Sequence, residues 1–340
     1  MTLRRHPLYA LAVVLTSTGP ADAANYTTAN FSVTAPSDAL ARQFGDMAEH
    51  YRKEKALQWL GQEMPNWPRR CPLEVKIGAG GAGGATTFTF GGDGSRGVVS
   101  SQHMEIHGPA RQLLDSVLPH EITHTVLAHH FGRPVPRWAD EGGSVLSEND
   151  EERFNHDVRC RELLNAGRGI RLSVLFRMAE YPHDMIVLYA QGYSVSAHLV
   201  ERGGGGVAGR QKLLQFLGIG MQGGDQRNHG TVESWNQAAR QVFGVNSIDD
   251  LEQQWLDALK SPPSRVAARG DRAPGTAASR PADTVAVRSS AAPVVPVLEP
   301  PVRAARGTAP DREPLAAPRA TPTERPLPVL LPPEFPRPTP

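Results

Sequence analysis

Cysteine is nearly missing from this chain: Cys71 and Cys160 are the only two in 340 residues. Neither has the spacing of a zinc-ligand pair, and neither sits in a local signature for Cys–His nucleophilic catalysis. At most one disulfide can form between them, and two separate buried thiols are the plainer alternative. An excess of charge is missing too. The formal net charge is +1, which gives no general case for nucleic-acid binding. The glycine runs at 78–84 and 91–94 lack the GxxxxGK(S/T) pattern of a phosphate loop and read as turns between strands. Long apolar runs are absent as well. The stretch Leu8–Leu15 is too short for a permanent bilayer-crossing helix, which needs ~20 residues.

That stretch follows Arg4, Arg5 and His6 and precedes Ala21-Asp22-Ala23, a small-x-small cleavage pattern. Residues 1–23 therefore read as a signal peptide, and the chain is expected to be exported to the periplasm, the cell envelope or the extracellular space. At the other end, residues 262–340 hold 19 of the 30 prolines, a single aromatic residue (Phe335) and no lysine. Such a segment buries too little apolar surface to offset its ordering entropy, and a disordered or PPII-like tail is expected. Between these ends lie residues 24–261, enough for one sizeable domain or two closely packed lobes.

Within that region, Asn30–Thr34, Leu73–Ile77, Thr86–Phe90 and Val98–His107 alternate like strands, and the stretch from Asp38 to Leu60 reads as a helix. After Trp138 the periodicity is helical almost throughout, over 151–165, 185–202, 211–217, 232–242 and 248–259, with 203–206 as a helix stop. The expected class is α+β: a small mixed sheet within 24–136 and a helical lobe over 137–261.

Against this background stands His120-Glu121-Ile122-Thr123-His124. Positions i and i+4 of a helix share a face, so both imidazoles can grip one metal ion while Glu121 leans toward the same cleft. Leu113, Leu114, Val117 and Leu118 before the motif, and Ile122, Val126 and Leu127 within and after it, keep helical spacing. Pro119 is an irregularity that either kinks this helix or marks its start. A catalytic zinc site uses three protein ligands and keeps a fourth position for water, so a third ligand is needed. Glu141 follows His124 across a loop containing Pro134 and Pro136, at the start of a second helix; spacing alone leaves Asp140 open too.

The segment Trp138-Ala-Asp-Glu141-Gly142 resembles the W-x-x-E-G of the gluzincin metallopeptidases, in particular the M1-like and peptidase MA-like families, in which this glutamate is the third zinc ligand. The resemblance spans roughly residues 30 to 260 and includes Ser247–Leu256 near its end. It implies a zincin-like fold with the cleft between lobes, one Zn2+ on His120, His124 and Glu141, and a peptide or protein substrate. Asp140 then matters little to the metal. The resemblance makes Glu148, seven residues beyond Glu141 and on the same helical face, a carboxylate that orients a ligating histidine. It also makes Tyr189-Ala-Gln-Gly192 the Y-x-x-G segment whose tyrosine steadies the oxyanion, with Tyr193 the close alternative. The G-x-M-x-N clamp for a substrate's amino terminus is absent. Gln102–Ile106 stands there instead, in the edge-strand position, so peptidase chemistry is implied but aminopeptidase specificity is not.

In that chemistry Glu121 is the general base, taking a proton from water and handing it to the departing amine. The competing reading is a zincin-like envelope protein with a binding or structural role and no turnover; the intact Glu121 favours catalysis, because a retired enzyme is free to lose it. His129 and His130 fall at the wrong offsets to complete the site and suit a helix end. His103 and His107 alternate on one face of the expected edge strand, where solvent exposure is the default.

Overall fold

The computed structural model describes residues 23–92, 97–224 and 229–262. The expected signal peptide and tail lie outside these residues, apart from the boundary residues Ala23 and Pro262. A five-stranded sheet is built from β1 (Ala24–Thr27), β2 (Phe31–Ala35), β3 (Cys71–Ile77), β4 (Gly83–Gly91) and β5 (Val98–Gly108), in the order β1-β2-β3-β5-β4. It is mixed: β2, β3 and β5 run parallel, while β1 and β4 pair antiparallel at the two edges. The edge-strand expectation for Gln102–Ile106 is therefore corrected. β5 is interior and β4 is the edge, so His103 and His107 stand on a strand paired on both sides. The expected strands are present, and β1, only four residues long, is an addition.

Helix α1 (Asp38–Leu60) starts where the Ser37 side chain accepts from the Leu40 amide and ends at Gly61, whose φ of 73° is a left-handed cap. Next, α2 (Ala110–Gln112), a wide π-helical turn (Leu113–Val117) and α3 (Leu118–Phe131) form one continuous helical run. The irregularity read at Pro119 is this wide turn. The Leu118 amide reaches back to the Leu113 carbonyl, so the ladder widens where Pro119 has no N–H to give, and the Leu114 carbonyl accepts the Tyr51 hydroxyl at 2.9 Å instead. Then follow α4 (Arg137–Val145), α5 (Asp150–Asn165), α6 (Leu172–Leu175), α7 (Met185–Arg202), α8 (Gly206–Gly220), α9 (Val232–Phe243) and α10 (Ile248–Ala258). Gly206, read as part of a helix stop, instead opens α8. Among the described residues no helix is long and apolar enough to cross a membrane.

Two cores meet across α3. In the first, Phe31, Val33, Leu73, Met104 and Ile106 of the sheet pack with Phe44 of α1 and with Leu118 and Ile122 of α3. In the second, Val126 and Leu127 of α3 pack with Trp59, Trp138, Phe176, Phe216 and Trp235. Every residue from Leu118 to Ala128 is buried, as befits a helix enclosed on all sides, so the polar side chains it carries must find partners inside the protein.

Candidate metal centre

Helical spacing on α3 brings the His120 and His124 rings to 4.9 Å between centroids. Trp138, fully buried against Phe176 and Trp235, anchors the helix that faces them. That helix, α4, begins after Pro136 and carries Glu141, 2% exposed, to the two imidazoles. Glycine lets α4 lie close enough to α7: a Cβ on Gly142 would stand 2.2 Å from the Gly192 carbonyl oxygen.

The outer nitrogens are occupied by carboxylates. His120 Nδ1 donates to Glu148 Oε1 at 2.6 Å, and His124 Nδ1 donates to Asp140 Oδ1 at 2.7 Å. This orients both rings and leaves both Nε2 atoms facing Glu141 Oε2, at 3.5 and 3.7 Å. That oxygen is buried without a hydrogen-bond partner. Three ligating atoms thus lie within 4.8 Å of one another, in a group that could hold a metal ion. An orphaned buried carboxylate oxygen between two oriented imidazoles fits a cation of that kind. In the metal-free protein, burial alone would raise the Glu141 pKa, but His120 and His124 outweigh it and hold it at about 2.

Glu121 is kept out of this trio. Its Oε2 accepts the Thr86 hydroxyl at 2.6 Å, and its Oε1 lies where a side chain at Gly84 would start, 2.6 Å from that position. Gly83 and Gly84, read as turn residues, belong to β4, and Gly84 leaves room for this carboxylate. Burial is the main cause that raises its pKa.

Of the two tyrosines considered for the oxyanion, Tyr189 faces Glu141, Tyr181 and Glu121, and burial followed by these neighbours pushes its phenol well up. Tyr193 instead packs on the second core, its ring 6.1 Å from that of His156. Tyr181, which no motif marks, donates its phenol to Glu141 Oε1. It arrives from the loop between α6 and α7, and neither periodicity nor spacing signals a loop residue.

Asp140 and Glu148 both act on histidines. Glu148 does so from the turn beyond α4, which ends at Val145, so the same-face geometry expected for it is corrected while the partner is the expected kind. His129 lies in the last turn of α3, stacked on Trp67 at 5.0 Å and 3.1 Å from Gln102 Oε1. Burial lowers its pKa to about 4. It is remote in role from the trio. Compared with known proteins, the chain matches no family model and no curated protein.

Proposed function

We propose that this chain is a zinc-dependent peptidase of gluzincin type, with a zincin-like fold and one Zn2+ held by His120, His124 and Glu141. The observation that carries the reading is the split among neighbouring groups. Three buried donors converge on one point, while Glu121, adjacent in sequence to His120, is held apart by Thr86 and left available as a base. When bound, zinc supplies Lewis acidity that makes water a usable nucleophile near neutral pH. Glu121 takes the proton of the attacking water and delivers it to the departing amine. The Tyr189 hydroxyl donates to the carbonyl oxygen as that atom gains charge, a kind of contact whose loss costs roughly 10²- to 10³-fold in rate. β4, a sheet edge beside Glu121, offers backbone groups to an extended peptide. The pattern at residues 1–23 supports export, which places the substrate in the periplasm, the envelope or outside.

Cleavage of an unfolded protein by the purified full chain tests this. Turnover is expected to stop on chelation and return with zinc. Glu121→Gln is expected to retain the metal and lose about 10²- to 10⁴-fold in rate. Near-normal turnover in that variant overturns the mechanism. A metal-loaded protein that cleaves nothing in a broad peptide library favours the binding role instead.

A further inference from the structure

Two phenols face Glu141, and the chemistry above uses only one of them. The other, Tyr181, donates to Oε1, while Oε2 is the buried oxygen without a partner that points at the imidazoles. The two oxygens of one carboxylate are therefore treated differently by the protein.

Tyr181 is 40% exposed as a residue, yet the loop that carries it is fastened to the first residue of α4. The Arg137 guanidinium lies 4.5 Å over the ring, its Nε donates to the Ala179 carbonyl at 3.2 Å, and its backbone amide donates to the Met178 carbonyl at 3.2 Å. Arg137 Nη1 also reaches Asp140 Oδ2 at 3.6 Å, and Asp140 holds His124. One side chain thus links the partner of Glu141 to the partner of His124.

We propose that Tyr181 is a positioning residue that makes Glu141 a one-oxygen ligand, with Arg137 keeping its phenol in place. This rests on the reading of the trio as a metal centre. With Oε1 capped by the phenol, two imidazoles and one oxygen make three ligands, and a fourth position stays open for water. With the cap removed, both oxygens can turn to the ion, filling that position and favouring ions that accept more oxygen ligands, such as Mn2+. Tyr189 is left as the hydroxyl that meets the substrate.

The test uses metal-free full-length protein and needs no substrate. Zinc affinity is measured by competition with a chelating dye, preference by competition with Mn2+, and coordination by the visible absorption of the Co2+-loaded protein. The wild type is expected to give the intense bands of a four-coordinate ion. Tyr181→Phe is expected to weaken those bands, to lower zinc affinity about 10- to 100-fold and to narrow the preference over Mn2+. Arg137→Met, which frees the same ring without altering the phenol, is expected to change the bands in the same direction. Unchanged Co2+ bands and unchanged zinc affinity in Tyr181→Phe overturn this assignment and leave the proposed function standing. A wild-type chain that binds neither zinc nor Co2+ overturns both.

Discussion

Gly142 and Gly192 meet backbone to backbone where α4 crosses α7. A methyl at Gly142 would stand 2.2 Å from the Gly192 carbonyl oxygen, and one at Gly192 would stand 2.6 Å from the Trp138 carbonyl oxygen. Glu141 precedes the first glycine by one residue and Tyr189 precedes the second by three, so the contact that brings these helices together also brings that phenol to that carboxylate. The two short sequence segments are halves of one crossing.

Gly142→Ala is therefore expected to force the helices apart. Overpacking of this kind typically costs about 1–3 kcal/mol, and the carboxylate would move with its helix. A lower melting temperature and loss of stoichiometric metal are expected. Gly143→Ala serves as the comparison, because its methyl would meet only side-chain atoms, at 3.1 Å from Trp59 and 3.4 Å from Leu127. It should keep its metal. Melting and metal content equal to wild type in the Gly142 variant would mean that the close approach is dispensable.

Asp140 carries more weight than its place in the sequence suggests. A residue not needed as a ligand is expected to be expendable, yet its Oδ1 fixes the ring of His124 just as Glu148 fixes that of His120. Asp140→Asn and Glu148→Gln are each expected to lower metal affinity about 10- to 100-fold with the fold intact. Glu141→Ala, which removes a proposed ligand, should lower it further. Dialysis against a graded metal buffer orders the three, and an Asp140 variant indistinguishable from wild type would remove it from the site.

The motif on α3 was legible because two histidines at i and i+4 leave a linear trace, whereas beyond the Pro-bearing loop spacing left Asp140 open beside Glu141, and only the W-x-x-E-G resemblance chose between them. The helix expected from Asp38 to Leu60 is α1 to the residue, and the structure adds the Ser37 and Gly61 caps that bound it. What escaped depends on pairing through space. β5 is interior because β4 folds back beside it, from Gly83 against His107 to Gly91 against Val98, and no alternation pattern tells an interior strand from an edge. Thr86 and Tyr181 reach the site from a strand and a loop, each through one hydroxyl. A single polar side chain with a long-range partner has no sequence period.

Cys71 and Cys160 belong to different cores, the first with the sheet and the second with the helical part, and both are free and buried. Burial is the main cause that pushes each thiol up to about 12, so neither holds appreciable thiolate at neutral pH. Native thiol titration is expected to be slow and to reach both groups only on unfolding. Reductant should leave the melting temperature unchanged, and a fall on reduction would demand a bridge.

The same carboxylates that orient the imidazoles give the metal-free protein a pH signature. Burial alone would lower the pKa values of His120 and His124. Glu141 and Glu148 outweigh it at His120, Asp140 and Glu141 outweigh it at His124, and both values lie above the ordinary 6.5. Groups raised on folding contribute stability that is fully present below about 6.5 and is lost as pH rises through their folded values. Glu141 runs the other way: held at about 2, it contributes above the ordinary 4.5, and that contribution is lost as pH falls toward 2. By themselves these three groups contribute most to the chelated chain between about pH 4.5 and 6.5 and less above it. His129, His198 and His229, whose pKa values burial lowers to about 4, act in the opposite sense. The signature is therefore the melting-temperature difference between the wild type and Asp140→Asn, expected to shrink as pH rises beyond that window. A metal ion needs the Nε2 atoms unprotonated, so loading should release protons and tighten with rising pH, reversing the trend. Melting curves across pH with and without metal, together with calorimetric titration in two buffers of different ionisation heat, check both halves. A difference between chelated wild type and Asp140→Asn that stays level from about pH 6 to 9, with no proton release on loading, would mean that these imidazoles are already neutral before the ion arrives.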